Sequence, residues 1–234
     1  MLSWPGFSAL VPRGLIVSCQ AAPGDALHGS ELMARMALAA ARGGAVAIRA
    51  EGPADVAAIR AAVALPVIGI RKRLYPRSPV SITPTFADAR EVAGAGAAAI
   101  AVDGTGRRRP GDETLAALIE RIHRELALPV LADVSTLDEG RRAADAGADA
   151  VATTLAGHVA HDPAAAEADP AVALVGQLVA ALAVPVVAEG RYRTPAEAER
   201  AIAEGAYAVV VGTAITRPEA IAGAFARAIA RRLR

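Results

Sequence analysis

The chain has 234 residues, of which 54% are hydrophobic and 21% are charged, and its formal net charge is +1. This composition excludes a long disordered chain and allows a large buried core. The arginines are scattered among acidic residues and form no basic stripe with aromatic residues, so nucleic acid is not an expected partner. A single cysteine, Cys19, excludes an intramolecular disulfide, and the first residues lack the basic start and the apolar run of a signal peptide. We therefore expect a cytoplasmic protein.

Short apolar runs, each typical of a buried strand, alternate along the chain with longer segments of helical periodicity. We predict eight strands, at 15–18, 45–49, 67–70, 99–102, 130–133, 150–153, 186–189 and 208–211. Because each run is apolar on both faces, the strands are expected to form a parallel sheet covered by helices. The apolar stretch 171–188 is broken by Gln177 and Pro185, so it is predicted to be a buried helix followed by a strand and not a membrane span.

Two of the predicted helices begin with recognisable signals. Thr136 with Glu139 and Thr194 with Glu197 have the spacing of a capping box, and Pro195 suits a first helical position. We therefore expect helices to begin at these two threonines.

The residues before the strands follow two rules. A glycine that can end a helix precedes each even-numbered strand, at Gly43, Gly96, Gly147 and Gly205. A proline precedes each odd-numbered strand from the third onward, at Pro66, Pro129 and Pro185. This alternation favours a barrel whose interior is filled by alternate strands. An open doubly wound sheet would need polar edge strands, and none of the eight is polar. We predict an α/β protein with one domain over 1–234, a (β/α)8 TIM barrel from about 14 to 232.

Charged residues stand where predicted strands end, which is where such barrels carry their chemistry. Asp133 and Glu189 each lie four residues after the proline of their strand, and Lys72 lies six residues after Pro66. Since side chains alternate along a strand, these offsets place the three side chains on one face. They can form a reaction centre or a structural salt-bridge cluster that closes the barrel mouth.

Lysine usage favours the reaction centre. The chain has 25 residues that are Lys or Arg, and Lys72 is the only lysine among them. Arginine stays protonated in proteins, whereas a lysine with a lowered pKa can act as a base or form a Schiff base. We expect Arg71 and Arg73 to lower the pKa of Lys72, Glu189 to raise it, and desolvation to bring it toward neutrality.

A second group of residues follows the last two strands. Gly190 and Arg191 come after the seventh strand, and Gly212, Thr213 and Arg217 come after the eighth. These two loops are the usual phosphate site of TIM barrels, because glycines allow main-chain N–H groups to approach an anion and arginines add positive charge. A phosphorylated substrate is expected, although glycines that only form turns would give the same pattern.

Other candidate chemistry is weaker. His158, His161 and Asp162 can be drawn as metal ligands, but no further ligands assemble around them, so we expect solvent-facing loop residues and no metal. No Gly-x-Ser-x-Gly motif occurs, and Cys19 has no evident histidine partner. No cofactor is expected.

Several segments together resemble the bacterial N-acetylmannosamine-6-phosphate 2-epimerase family. The resemblance runs in order from Leu15 to about Phe225, through the segments 15–20, 48–50, 66–73, 82–85, 132–136, 153–155, 188–191 and 212–218. It implies a metal-independent isomerase that interconverts N-acetylmannosamine 6-phosphate and N-acetylglucosamine 6-phosphate in sialic acid catabolism. It also implies a homodimer, with Lys72 and Glu189 as the catalytic couple. Substrate contacts are implied for Gln20, Arg49, Asp133 and Arg217.

Two residues depart from the family pattern. Leu74 stands where an aspartate usually follows Lys-Arg, and Gly104 stands where an alanine is usual. Neither change removes a proposed catalytic group, so the reaction class is expected to hold while substrate scope is open. Two alternatives remain, a Schiff-base lyase or aldolase that uses Lys72 covalently, and a phosphosugar-binding barrel without activity.

Overall fold

The computed structural model describes residues 5–157 and 169–233. Within them, eight parallel strands form a closed barrel in chain order, β1 pairing with both β2 and β8. The strands are β1 (Gly14–Cys19), β2 (Ala47–Glu51), β3 (Val67–Ile70), β4 (Ala99–Asp103), β5 (Val130–Asp133), β6 (Ala150–Ala152), β7 (Val186–Glu189) and β8 (Ala208–Val211). The predicted (β/α)8 barrel is confirmed, and the strand bounds differ from the predicted ones by two residues at most.

Helices alternate with these strands on the outside of the barrel. They are α1 (Phe7–Leu10), α2 (Ser30–Arg42), α3 (Gly52–Ala62), α4 (Phe86–Gly94), α5 (Leu115–Arg121), α6 (Leu137–Asp145), α7 (Val172–Ala181), α8 (Pro195–Ala203), α9 (Thr213–Thr216) and α10 (Pro218–Arg232). A 3-10 turn, Pro110–Asp112, precedes α5, and a π-helical segment, Ile122–Leu126, follows it. As expected, the apolar stretch after 171 folds as α7 followed by β7. None of the helices in the described residues has the length and apolar composition needed to cross a membrane.

The barrel interior explains why odd and even strands differ in sequence. Odd strands contribute large side chains, whereas even strands contribute mainly alanines: Ile16, Ile68, Leu131 and Val187 against Ala47, Ala99, Ala150 and Ala208. Large and small residues thus alternate around the barrel and fill it without a central pore. At the amino-terminal end, Phe7 of α1 and the following Val11 pack on the same cluster and close the bottom of the barrel.

The predicted helix signals are mostly present. Thr194 and Glu197 form a complete capping box, whereas at Thr136 only half of the box exists, because the Glu139 carboxylate binds Ser135. Three of the predicted glycines, at 96, 147 and 205, have left-handed φ angles of +98°, +96° and +94°. At the first position the prediction is one residue off. Gly43 caps α2 in a right-handed conformation, and Gly44 takes the left-handed one.

A close approach of α4 to the barrel wall depends on Gly69 in β3. A Cβ atom on Gly69 would lie 2.8 Å from the Cβ of Ala97 and 3.1 Å from that of Val92 on α4. Real side chains do not tolerate the first of these distances. Glycine at this position therefore sets how near α4 lies to the end of β3.

Candidate active site

A buried ion cluster forms the floor of the barrel mouth. The guanidinium of Arg49 in β2 donates to both oxygens of Asp133 in β5, with Nη1–Oδ1 and Nη2–Oδ2 distances of 3.0 and 2.5 Å. Its Nη1 also donates to Glu189 in β7 at 2.8 Å. The side chains of Arg49 and Asp133 are 1% and 0% exposed. The three predicted residues from three strands are therefore in direct contact.

Burial of these charges has opposite effects on the arginine and the glutamate. For Arg49, burial is the largest single effect and acts to lower the pKa, but Asp133 and Glu189 together outweigh it, so its pKa is raised and it stays cationic. For Glu189, burial raises the pKa to about 7, against the opposing charges of Arg49 and Lys72. A carboxyl with this pKa can hold or release a proton near neutral pH, as a general acid or base requires.

Threonines after β6 hold Asp133 and Glu189 in place. The Thr154 hydroxyl donates to Asp133 Oδ1 at 2.5 Å. Thr153 bridges to the main chain of Glu189, accepting from its N–H at 3.0 Å and donating to its carbonyl at 2.9 Å. Glu189 is therefore fixed at its main chain, and its carboxylate meets Arg49.

Lys72 lies on an extension of β3 that folds back as a two-stranded ribbon. Lys72 pairs with Ile82 and Tyr75 with Ser78 in antiparallel bridges. Although the Lys72 side chain keeps access to solvent, protein atoms of the mouth surround it, and this desolvation lowers its pKa. Arg49 is the second cause in the same direction, while Glu51, Glu189 and Asp133 act against it.

The expected effect of Arg71 and Arg73 on this lysine is wrong. Both arginines are held by carboxylates: Arg71 Nη1 lies 2.9 Å from Glu51, and Arg73 Nη1 lies 2.7 Å from Asp88. Because these carboxylates offset their charges, the cation that lowers the pKa of Lys72 is Arg49, across the mouth.

A cleft of about 1720 Å³ opens above this floor. It brings together eight of the ten residues predicted for the site, while Arg49 and Asp133 lie beneath it. The eight that line it are Gln20, Lys72, Glu189, Gly190, Arg191, Gly212, Thr213 and Arg217. Gln20 donates through Nε2 to the Ser18 hydroxyl at 2.8 Å, and its buried Oε1 has no hydrogen-bond partner in the described part of the chain. That oxygen is free to accept a hydrogen bond from a ligand.

The loops after β7 and β8 lie on one side of the cleft. Gly190 and Arg191 both adopt left-handed φ angles, +108° and +62°. The Arg191 guanidinium donates to the carbonyl of Ala156 at 2.6 Å, toward the loop after β6. Gly212 lies against Ser18, whose Cβ would be 3.3 Å from an added Cβ atom, and is the N-cap residue of the short helix α9.

Arg217 is bound by a residue that the sequence did not single out. Its Nη2 lies 2.6 Å from Oδ2 of Asp25 in the loop after β1. The same oxygen accepts the N–H of Ala22 at 2.7 Å, and these bonds lower the pKa of Asp25. The arginine predicted to contact substrate is therefore held at the rim of the cleft by a carboxylate.

The two departures from the family pattern lie near this site. The side chain of Leu74 is exposed on the ribbon that follows Lys72. Gly104 donates to the carbonyl of Asp133 at 2.7 Å, and a Cβ on it would lie 3.0 Å from both Ala132 and Val134. Glycine therefore relieves close packing beside Asp133.

The candidate metal ligands His158, His161 and Asp162 lie outside the described residues. Over 5–157 and 169–233, no group of three or more His, Cys, Asp or Glu side chains could hold a metal ion.

Comparisons with known proteins place the chain in one family. Residues 33–231 match the family model described as "Putative N-acetylmannosamine-6-phosphate epimerase". Two relatives named "Putative N-acetylmannosamine-6-phosphate 2-epimerase" come from Cutibacterium acnes and Thermosynechococcus vestitus. The first is 48% identical over 94% of this chain and 96% of its own length. The second is 50% identical over 87% of each chain.

Solved structures give the same family. The N-acetylmannosamine-6-phosphate 2-epimerase from Clostridium perfringens is 41% identical, covers 94% of both chains and superposes with a TM-score of 0.88. A thiamine phosphate pyrophosphorylase from Pyrococcus furiosus, 19% identical with a TM-score of 0.57, shares the fold alone. The chain belongs to the N-acetylmannosamine-6-phosphate epimerase family.

Proposed function

We propose that this protein interconverts N-acetylmannosamine 6-phosphate and N-acetylglucosamine 6-phosphate by moving the proton on C2. The observation that carries the proposal is that Lys72 and Glu189 line one cleft above the buried Arg49, each with a pKa displaced toward neutrality. Inversion at an acidic carbon requires groups that can give and take protons, and these displacements favour that role for both side chains. The family assignment supplies the substrate class.

In this proposal Lys72 removes the C2 proton. That proton is acidic because the adjacent carbonyl takes the electron pair of the broken C–H bond onto its oxygen as an enolate. Two causes, desolvation and the charge of Arg49, lower the pKa of Lys72 and increase the fraction of free amine that can accept the proton.

The oxyanion needs a fixed donor, and Arg49 is our candidate. Both of its terminal nitrogens are bound to Asp133 or Glu189, while its buried Nε has no partner in the described residues. A preorganised donor in a dry site stabilises developing charge by several kcal/mol, on the order of the loss seen when one such donor is removed. A proton then returns to C2 on the opposite face, from Glu189 or from Lys72 after the intermediate has turned.

In this proposal the phosphate binds to the loops after β7 and β8. Gly212 and the first turn of α9 offer main-chain N–H groups, and Arg217 stands at the rim of the same cleft. A bound phosphate would displace the Asp25 carboxylate from the Arg217 guanidinium, since both groups are anions. Gln20, with its unpaired oxygen, is our candidate for the acetamido N–H of the sugar.

A proton NMR time course with N-acetylmannosamine 6-phosphate in deuterated water tests the function. We expect the second epimer to appear with deuterium at C2, and to appear equally in the presence of EDTA, since no metal is part of the proposal. A protein that only binds phosphosugars would leave C2 protonated. An aldolase or lyase would be labelled at Lys72 and inactivated by borohydride in the presence of substrate, whereas an epimerase would not.

We also propose that the protein is a homodimer formed through α10. Within the described chain, α10 has no buried residue, and Phe225 and Ile229 are 68% and 58% exposed. A helix of 15 residues without packing is marginal in water, so an apolar partner surface is needed to stabilise it. A second copy of the chain supplies that surface. The cytoplasmic location expected from the sequence stays a prediction.

A further inference from the structure

Glu51 is a carboxylate in the mouth that was not among the predicted site residues and has no role in the proposed reaction. It is the last residue of β2 and lies opposite Ile70, the last residue of β3. This register places its side chain beside the chain segment that continues β3. One oxygen, Oε1, accepts both the Arg71 guanidinium at 2.9 Å and the main-chain N–H of Lys72 at 3.1 Å.

On the other side, α4 holds the same segment. Glu91 Oε2 lies 3.3 Å from Arg71 Nε, and Glu91 Oε1 lies 3.2 Å from Arg73 Nη2. The side chains on either side of Lys72 are therefore both held by carboxylates of neighbouring elements. Lys72 lies between these anchored neighbours and lines the cleft.

Glu51 also belongs to the set of charges that face the lysine. They are Arg49 and Glu51 from β2, Asp133 from β5 and Glu189 from β7. Asp133 and Glu189 are both bound to Arg49, whereas Glu51 forms an ion pair with Arg71. Among the carboxylates that raise the pKa of Lys72, Glu51 has the largest effect, opposing desolvation and Arg49.

We propose that Glu51 is a positioning residue for Lys72: its carboxylate fixes the main chain of the lysine and adds a negative charge to the cleft that the lysine side chain lines. The functional meaning rests on the proposed role of Lys72 as the base. The geometry can be tested without any substrate.

The composition of the chain makes a direct test possible, because Lys72 is the only lysine. Protein labelled with lysine carrying ¹³C at Cε gives a single side-chain resonance, whose titration midpoint reports Lys72. In Glu51→Gln, which keeps the size and an acceptor oxygen, we expect this midpoint to fall by about half a unit to one unit. Glu120→Gln, which removes a carboxylate of the exposed ion pair with Arg124, is the matched control and should leave it unchanged. An unchanged midpoint in Glu51→Gln would overturn the electrostatic part of the proposal.

The main-chain contact is tested with ¹⁵N-lysine, which gives one amide resonance. Glu51→Ala removes the acceptor of the Lys72 N–H, so its hydrogen exchange should become at least about tenfold faster, while Glu51→Gln should keep most of the protection. Equal exchange rates in the wild type and Glu51→Ala would overturn the positioning contact. Circular dichroism of both variants checks that the fold is retained.

Activity then separates this inference from the proposed function. If Lys72 is the base, the acid limb of the kcat/KM profile should move to lower pH in Glu51→Gln, together with the NMR midpoint. A fully active Lys72→Arg variant would exclude Lys72 as the base and leave the NMR results intact. An inactive Lys72→Arg with unchanged titration and exchange in the Glu51 variants would defeat only the inference.

Discussion

The guanidinium of Arg49 lies 2.8 Å from the carboxylate of Glu189, and the two side chains are only 1% and 12% exposed. This pair links the two groups of the proposed proton transfer. The positive charge lowers the pKa of Lys72, and it also restrains the rise in the pKa of Glu189 that burial causes. One buried arginine thus acts on the base and the carboxyl at once, and it remains charged because Asp133 holds it from the other side.

The first prediction concerns the base. Lys72→Arg keeps the positive charge and most of the volume but cannot deprotonate. We expect loss of both epimerisation and C2 deuterium exchange by at least about 10²-fold to 10⁴-fold. Binding of the phosphosugar, measured by calorimetry, should persist because the loops after β7 and β8 are unchanged. A variant that keeps more than about a tenth of wild-type turnover would exclude Lys72 as the base.

The second prediction concerns stability and Glu189. Its pKa is raised from 4.5 to about 7 in the folded protein. Below the lower value the carboxyl is protonated in both folded and unfolded chains. Between the two values the unfolded chain ionises while the folded protein keeps its proton, so stability falls as pH rises from 4.5 through 7 and then levels off. Glu189→Gln stays neutral, so its stability relative to wild type should improve between pH 5 and pH 8 by up to about 3 kcal/mol.

Urea unfolding of both proteins at the two pH values measures this difference. The same difference in unfolding free energy at both values would contradict a raised pKa for Glu189. The variant should at the same time lose net inversion. If Glu189 serves one face of the sugar, C2 exchange should persist from one epimer only.

The third prediction concerns the phosphate. Arg217→Ala removes a charged donor from the rim of the cleft, and we expect an increase in KM equivalent to about 1.5 to 3 kcal/mol. The unphosphorylated sugar is the control substrate, because its weaker reaction should not change further in this variant. Equal rates for the phosphorylated and unphosphorylated sugars with wild-type protein would refute the assignment of these loops.

The fourth prediction concerns assembly. Phe225→Glu places a charge in the exposed apolar face of α10 and should convert the dimer into a monomer, measured by light scattering after gel filtration. Arg124→Glu, on an exposed part of the chain near α5, is the control and should remain dimeric. A wild-type protein that is monomeric at micromolar concentration would refute the dimer.

Much of the fold could be predicted because each strand is a short apolar run bounded by Gly or Pro. The convergence of Asp133 and Glu189 followed from their equal distance from a proline, and both do meet Arg49. Local signals did not predict every helix end. Gly43 and Gly44 both suit the end of α2, and the sequence does not distinguish them. The capping box of Thr85 with Asp88 was not predicted, because the usual pattern has Glu or Gln at the second position.

Pairings between distant segments could not be predicted from the sequence. The partner of a charged side chain depends on strand register and on how a loop folds back. Arg71 and Arg73 therefore looked like neighbours of the lysine charge, while the structure directs them to Glu51 and Asp88. Asp25 lies 192 residues from Arg217 in sequence, and nothing local to either residue indicates their contact.

Gly69 faces the outside of the barrel, away from any sugar, yet the clearance it provides governs how far α4 stands from β3. The carboxylates of Asp88 and Glu91 are carried on that helix, and they anchor the arginines on either side of Lys72. A single methyl group added at Gly69 would push α4 outward and carry those anchors with it. Enzyme activity would then fall because of a steric clash on the outside of the barrel. A search for inactivating substitutions that is confined to the cleft would miss this position.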